Sequence, residues 1–268
     1  MEKPLAPDNE LLIERREYKY LITPELADRV RDVVQPFCRL DPFATKHGSN
    51  RYTIDSLYFD NLNMALYWAN EHETVDRFKL RIRSYPQFPT GPRFFEVKQR
   101  INDVIRKTRG RIDCEDWMEL VKNPGCPIPA DVRPADRRAV ERFLTLTHIH
   151  QAEPKTLVRY EREPYVSVVD DYARVTLDRN IRSQRAEHLD FKPKENGWRN
   201  MDMALNMLNP YSLVVLELKF TSAVPTWMVN TVASLGLTRY AFSKYATSVA
   251  AWYTSNATRV PCLETNPQ

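Results

Sequence analysis

Glycine is scarce. The 268-residue chain has six, at positions 48, 91, 110, 125, 197 and 236, and none is followed by lysine. A P-loop needs a Gly-Lys-Ser/Thr end to wrap backbone N–H groups around phosphate, so it is excluded, as is a Gly-x-Gly dinucleotide turn. Any phosphate this chain handles must be held by side chains. Cysteine is thin as well: Cys38, Cys114, Cys126 and Cys262 are scattered, with no close pair at metal-ligand spacing. Reduced, inert thiols are expected, not a disulfide framework. No apolar run approaches the roughly 18–20 residues that cross a bilayer, and Met1 to Glu10 lacks the apolar stretch of a secretory signal. A cytoplasmic protein with no membrane segment of its own is expected. Gly-x-Ser-x-Gly and His-Glu-x-x-His are also missing, which leaves serine-elbow and zincin hydrolysis without support.

What the chain has is charge, unevenly spread. The net charge is only +4, yet between Arg77 and Arg111 eleven Lys/Arg face two acids, Glu96 and Asp103. That window carries +9 and the remainder −5, a local field that implies a polyanionic partner. The spacing is more informative than the count. Lys79-Leu-Arg81-Ile-Arg83 and Lys107-Thr-Arg109-Gly-Arg111 put cations at every second position, the period of a strand whose two faces see different surroundings. Glu96-Val-Lys98 and Glu17-Tyr-Lys19 are shorter versions. Val214-Val-Leu-Glu217-Leu-Lys219-Phe220 sets two charges inside an apolar strand.

A charged face turned to bulk solvent explains one such strand, but not strand after strand whose other neighbours are Leu, Ile, Val and Phe. A closed barrel resolves the conflict, with charges lining a wet lumen and apolar residues packing outward against helices. Cations crowded in one lumen repel one another unless an anion neutralises them. Strands are predicted at the N-terminus and around 52–58, 75–85, 93–100, 103–112, 156–168, 172–181 and 212–221. Thr23-Pro-Glu reads as N-cap, N1 proline and first-turn acid of a helix ending near Pro36. Further helices are expected around 64–69, 113–121, 135–147, 225–235 and 240–253, with polar 183–200 as an exposed excursion or lid. His148-x-His150 and the five tryptophans are expected to pack, not to bind metal or bases.

The strands in order resemble the VTC domain, the polyphosphate polymerase branch of the triphosphate tunnel metalloenzymes. The resemblance rests on Arg15-x-Glu17-x-Lys19-Tyr20, Ser56-Leu-Tyr58-Phe59-Asp60, Arg81-x-Arg83-x-Tyr85 and Glu96-x-Lys98. It continues with Tyr160-Glu-Arg162, Arg174-x-Thr176-x-Asp178-Arg179, Leu216-Glu217-x-Lys219 and Phe242-Ser243-Lys244-Tyr245. It implies an α+β fold, an antiparallel closed tunnel barrel of about eight strands with helices packed outside. The expected layout is one tunnel domain over 11–254, between a flexible N-terminus, 1–10, and a flexible tail, 255–268. By the same resemblance Arg81, Arg83, Lys98, Arg162 and Lys244 are the catalytic cations. Lys19, Lys79, Lys107, Arg109, Lys219, Ser243 and Tyr58 are expected to bind substrate phosphate. Glu217 is the expected ligand of Mn²⁺ or Mg²⁺, with Glu17 and Glu96 as alternatives.

The implied activity is transfer of the ATP γ-phosphate to a growing polyphosphate chain, with ATP/ADP, inorganic triphosphate and polyphosphate as partners and no nucleic acid. A tripolyphosphatase or nucleoside triphosphatase, or a non-catalytic polyphosphate binder, would use the same tunnel. The hydrolytic relatives open with Glu-x-Glu-x-Lys, whereas here Arg15 holds the first position, which favours a phosphate acceptor over water. The phosphate-sensing SPX domain and membrane helices of eukaryotic VTC subunits have no counterpart in the sequence, which looks like a free-standing, prokaryote-type version.

Overall fold

The computed structural model describes residues 16–46, 49–102, 104–113, 117–170, 172–202, 212–221 and 223–253. The expected flexible ends, 1–10 and 255–268, lie outside these residues, as do Arg15, Cys114 and Cys262. Strands β1 (Arg16–Ile22), β2 (Cys38–Leu40), β3 (Tyr52–Asp60), β4 (Asp76–Ser84), β5 (Arg93–Ile101), β6 (Val104–Ile112), β7 (Glu153–Ser167), β8 (Ala173–Arg185), β9 (Arg199–Asn200) and β10 (Val214–Phe220) form one antiparallel sheet. The main path runs β1-β10-β8-β7-β3-β4-β5-β6, with β2 added to β7 and β9 to β8. The helices are α1 (Pro24–Val34), α2 (Pro42–Lys46), α3 (Ala65–Glu71), α4 (Trp117–Lys122), α5 (Pro134–Ile149), α6 (Thr226–Ser234) and α7 (Lys244–Tyr253). Among the described residues none is long and apolar enough to cross a membrane.

The two-residue period decides how the sheet packs. On β10, Val214, Leu216, Leu218 and Phe220 all join the cluster under α1 and α6, with Ala27 and Val30 of α1 and Trp227 and Met228 of α6. Burying each such aliphatic chain is worth about 1.5–3 kcal/mol. α1 starts as its sequence dictates, with the Thr23 side chain accepting from the Leu26 N–H at 3.2 Å and Pro24 in the first turn. Farther along the sheet, Leu57, Leu80, Ile82, Phe95 and Val97 pack outward against α4 and α5. Gly110 lets α5 approach β6: a Cβ there would lie 2.5 Å from the Asp136 carbonyl oxygen and 2.6 Å from Val140.

The opposite face differs from expectation. Helices were expected outside only, but α7 packs on the inner face, where Tyr245, Ala246 and Val249 meet Ile54, Tyr58, Val158, Tyr160, Ile181 and Val215. Val215 shares its face with Glu217 and Lys219, so α7 covers one end of the surface that carries the charges. The sheet is strongly curled, yet its terminal strands β1 and β6 are not hydrogen-bonded to each other. A barrel closed by backbone ladders is therefore not what holds the hollow together. The excursion starts later than expected, because β8 continues to Arg185 and buries Ser183.

Candidate active site

Two carboxylates organise the inner face. On β10, Glu217 is almost fully buried and meets four cations: Lys219 at 2.6 Å, Arg162 at 3.3 Å, Lys244 at 3.6 Å and Lys19 at 3.7 Å. The Thr176 hydroxyl donates to the same carboxylate at 3.4 Å. Burial alone would raise the Glu217 pKa, but these cations outweigh it and hold the group well below the usual range. On the facing wall Glu96 of β5, 1% exposed, meets Arg81 at 2.6 Å, Lys107 at 2.9 Å, and Arg83 and Arg109 at 3.5 Å. Burial again works against ionisation, and again the four cations win.

The walls meet across the hollow, where Lys98 of β5 lies 3.2 Å from Glu17 of β1. Glu17 also contacts Lys19 at 3.3 Å. Tyr58 accepts from Arg81 Nη1 at 3.0 Å and stacks on Tyr245. Ser243 caps α7, accepting from the Ala246 N–H at 3.2 Å, and the same oxygen accepts from Lys79 Nζ at 2.9 Å. The α7 N-terminus thus adds its positive dipole end to the hollow. The residues expected to bind phosphate or metal therefore lie on one face of the sheet or, for Ser243 and Lys244, at the start of α7, which packs on that face.

These cations are not equivalent. Lys79 is pushed down to about 7, first by burial and then by the charges of Lys19 and Lys98. Lys107 also falls to about 7, chiefly through burial and despite Glu96. Glu96 is shared with Arg81 and Arg83, whose charges repel the lysine. Lys107 keeps 37% of its side chain exposed, so water screens part of that effect. Lys244 shifts upward, because Asp178 at 2.6 Å and Glu217 overcome the cost of burial.

Asp178, noted in the sequence only as part of a motif, is central here. It is fully buried, takes Arg162 in a bidentate pair at 2.7 and 2.8 Å, and accepts from Lys244. Its position two residues after Thr176 on an alternating strand was the available signal. Tyr160 was also missed as a lining group, and its ring faces Lys244 Nζ at 4.7 Å. Asp60, by contrast, is structural: it accepts from the N–H groups of Leu66 and Tyr67 at the start of α3 and from the Tyr245 hydroxyl.

No group of three His, Cys, Asp or Glu among the described residues is arranged to hold a metal ion. The donor chemistry still fits a hard divalent cation. Such ions are commonly held by one or two carboxylates, with substrate phosphate and water completing the shell. Glu217 and Glu17 supply two, both contacted by Lys19. Glu96 is enclosed by four cations and is the poorer candidate. His148 and His150 build no such site, and His150 packs against the edge of Phe78.

The VTC domain model matches residues 14–253. This chain belongs to the VTC domain family. It therefore falls among the triphosphate-tunnel enzymes. Several solved structures are similar to it. An adenylate cyclase candidate from Bacillus halodurans is 11% identical with a TM-score of 0.48, covering 90% of this chain and 100% of its own. An adenylyl cyclase candidate from Hippeastrum, described as having a dominant triphosphatase activity, is 15% identical with a TM-score of 0.47, covering 88% and 95%. A third, from Vibrio parahaemolyticus, is 13% identical with a TM-score of 0.46, covering 88% and 97%. Similarity this distant bears on neither substrate nor chemistry. A comparison with curated protein sequences finds no match.

Proposed function

We propose that this VTC domain is a polyphosphate polymerase that moves the γ-phosphate of ATP onto the end of a polyphosphate chain threaded through the hollow. One observation carries the reading. Nine cations (Lys19, Arg81, Arg83, Lys98, Lys107, Arg109, Arg162, Lys219 and Lys244) converge on four carboxylates (Glu17, Glu96, Asp178 and Glu217), with Lys79 beside them on Ser243, leaving an excess of positive charge inside a protein wall. Such an excess is stabilised by a linear polyanion long enough to touch both walls, which a single small anion is not.

Arg81, Arg83 and Lys98 on one wall and Arg162, Lys244 and Lys19 on the other would grip phosphate oxygens with charge-assisted bonds. Fixing donor and acceptor phosphates end to end supplies the in-line geometry, so positioning and electrostatics carry the rate and no covalent enzyme intermediate is needed. Glu217, assisted by Glu17, would hold Mn²⁺ or Mg²⁺. Such an ion would supply positive charge that offsets the charge on the phosphate oxygens. Lys219 and Lys19 must then turn from Glu217 to phosphate, which keeps every charge paired.

The test is to incubate the protein with ATP and Mn²⁺ and resolve the products by gel electrophoresis. Long-chain polyphosphate supports the polymerase. Orthophosphate alone assigns the site to a triphosphatase, and an unchanged ATP pool assigns it to a binding domain.

A further inference from the structure

Behind Arg162, on the outward face of the same strands, a second group of arginines converges. Glu163 of β7 is 1% exposed and both its oxygens are committed. Oε1 accepts from Arg31 Nε of α1 at 2.8 Å and from the Tyr165 hydroxyl at 2.5 Å. Oε2 accepts from Arg51 Nε at 3.2 Å and Arg31 Nη2 at 3.3 Å. Arg179 of β8 joins this group without an acceptor of its own. Its Nε and Nη2 are shut off from water and make no hydrogen bond. Its ion-pair contact among the described residues is Asp28 Oδ1 at 3.9 Å, beyond hydrogen-bond range. A desolvated guanidinium without acceptors is costly to keep. Burial, with Arg51 and Arg31 beside it, holds the Arg179 pKa below its ordinary value.

We propose that Arg31, Arg51 and Arg179 form a second oxyanion site, outside the hollow, in which a phosphate-type group takes the place of Asp28 between Arg31 and Arg179. Asp28 is a weak occupant: it is 62% exposed and already shared with Arg31 Nη1 at 3.0 Å. Exposure rises from Arg179 (14%) through Arg31 (32%) to Arg51 (41%), so the unsatisfied guanidinium forms the floor and the others the rim. Once Asp28 turns out, three guanidiniums share one carboxylate, and their forked donors match the oxygens of a tetrahedral anion. Inorganic phosphate and the end of a phosphate chain present the same chemistry. The site does not depend on what the hollow catalyses.

The test is calorimetric titration of the full chain with inorganic phosphate and, separately, with inorganic triphosphate. Arg179→Gln should weaken phosphate binding about tenfold or more, and Asp28→Ala, which removes the competing carboxylate, should tighten it. Arg81→Ala should remove only the hollow's share of the binding heat, so the share that depends on Arg179 is read apart from it. Triphosphate binding that depends on Arg179 while orthophosphate fails to bind would support the site and assign the ligand as a chain end. Binding of both ligands that is indifferent to Arg179→Gln and Asp28→Ala overturns the proposal. Asp28 is exposed, and its alanine variant gives up one exposed bond to Arg31 while Glu163 keeps all its donors, so the test stands even if Arg179→Gln does not fold.

Discussion

Lys98 and Glu17 lie 3.2 Å apart although their strands, β5 and β1, are not neighbours in the sheet. With β1 and β6 unpaired, this contact spans the hollow where a backbone ladder would close a barrel. Lys98 keeps about a third of its side chain in water, so the pair behaves more like a surface bridge than a buried one. A double-mutant cycle of Glu17→Gln and Lys98→Met should return a coupling of about 0.2–1 kcal/mol at low ionic strength, fading in high salt. Zero coupling at low salt would mean that the curl is held by its helices alone.

The arginines of β4 should separate in their effects. Arg81 binds Glu96 at 2.6 Å and Tyr58 at 3.0 Å, whereas Arg83 stands 3.5 Å from Glu96 with its buried Nε unpartnered. Arg81→Ala should cost about 1.5–3 kcal/mol in urea unfolding of the ligand-free protein. Arg83→Ala should cost clearly less, because its contact with Glu96 is longer and its Nε has no partner to lose. Both should weaken triphosphate binding. Equal destabilisation by the two variants would contradict this division between a tied arginine and a spare one.

Much of this was legible in the sequence. The alternation in Lys79 to Arg83 and in Val214 to Phe220 has the period of strands with one charged face, and every candidate so chosen lies in the hollow. Three features were not legible, each for a physical reason. The pairing of Arg162 with Asp178 depends on the β7–β8 register, which a bulge between Arg159 and Glu161 shifts. The inward placement of α7 depends on Tyr245, Ala246 and Val249 finding apolar partners on six strand positions far apart in the chain. The open edge between β1 and β6 reflects how far the sheet coils, which periodicity does not encode.

Lys79 should couple phosphate binding to proton uptake. Its folded-state pKa of about 7 lies below the ordinary 10.5. Between those values the unfolded chain holds a proton the folded one lacks, so this group's contribution to stability rises with pH across that window. Phosphate near Lys79 pulls its pKa back up, so binding above pH 7 takes up a proton and weakens as pH climbs toward 10. Titration of triphosphate at pH 8 in two buffers of different ionisation enthalpy should report net uptake, reduced in Lys79→Gln. Uptake unchanged in that variant would assign the proton elsewhere.

Glu217→Gln removes the carboxylate shared by Lys19, Arg162, Lys219 and Lys244. Asp178 still holds Arg162 and Lys244, and Glu17 still holds Lys19, so the loss falls mainly on Lys219. The ligand-free protein should lose about 1.5–3 kcal/mol. Inorganic triphosphate without metal should recover much of it, since phosphate now pairs the freed cations. An unaltered melting temperature in the absence of ligand would show that Glu217 does not pair these cations in solution.

The most direct test of the polymerase reading is the phosphorus balance of the reaction. The protein with ATP and Mn²⁺ would be followed by ³¹P NMR, with ADP counted against internal chain phosphate and orthophosphate. The account predicts that internal chain phosphate grows in step with ADP, that orthophosphate stays minor, and that Glu217→Gln abolishes the growth. Orthophosphate appearing one for one with ADP, with no internal chain signal, would contradict it.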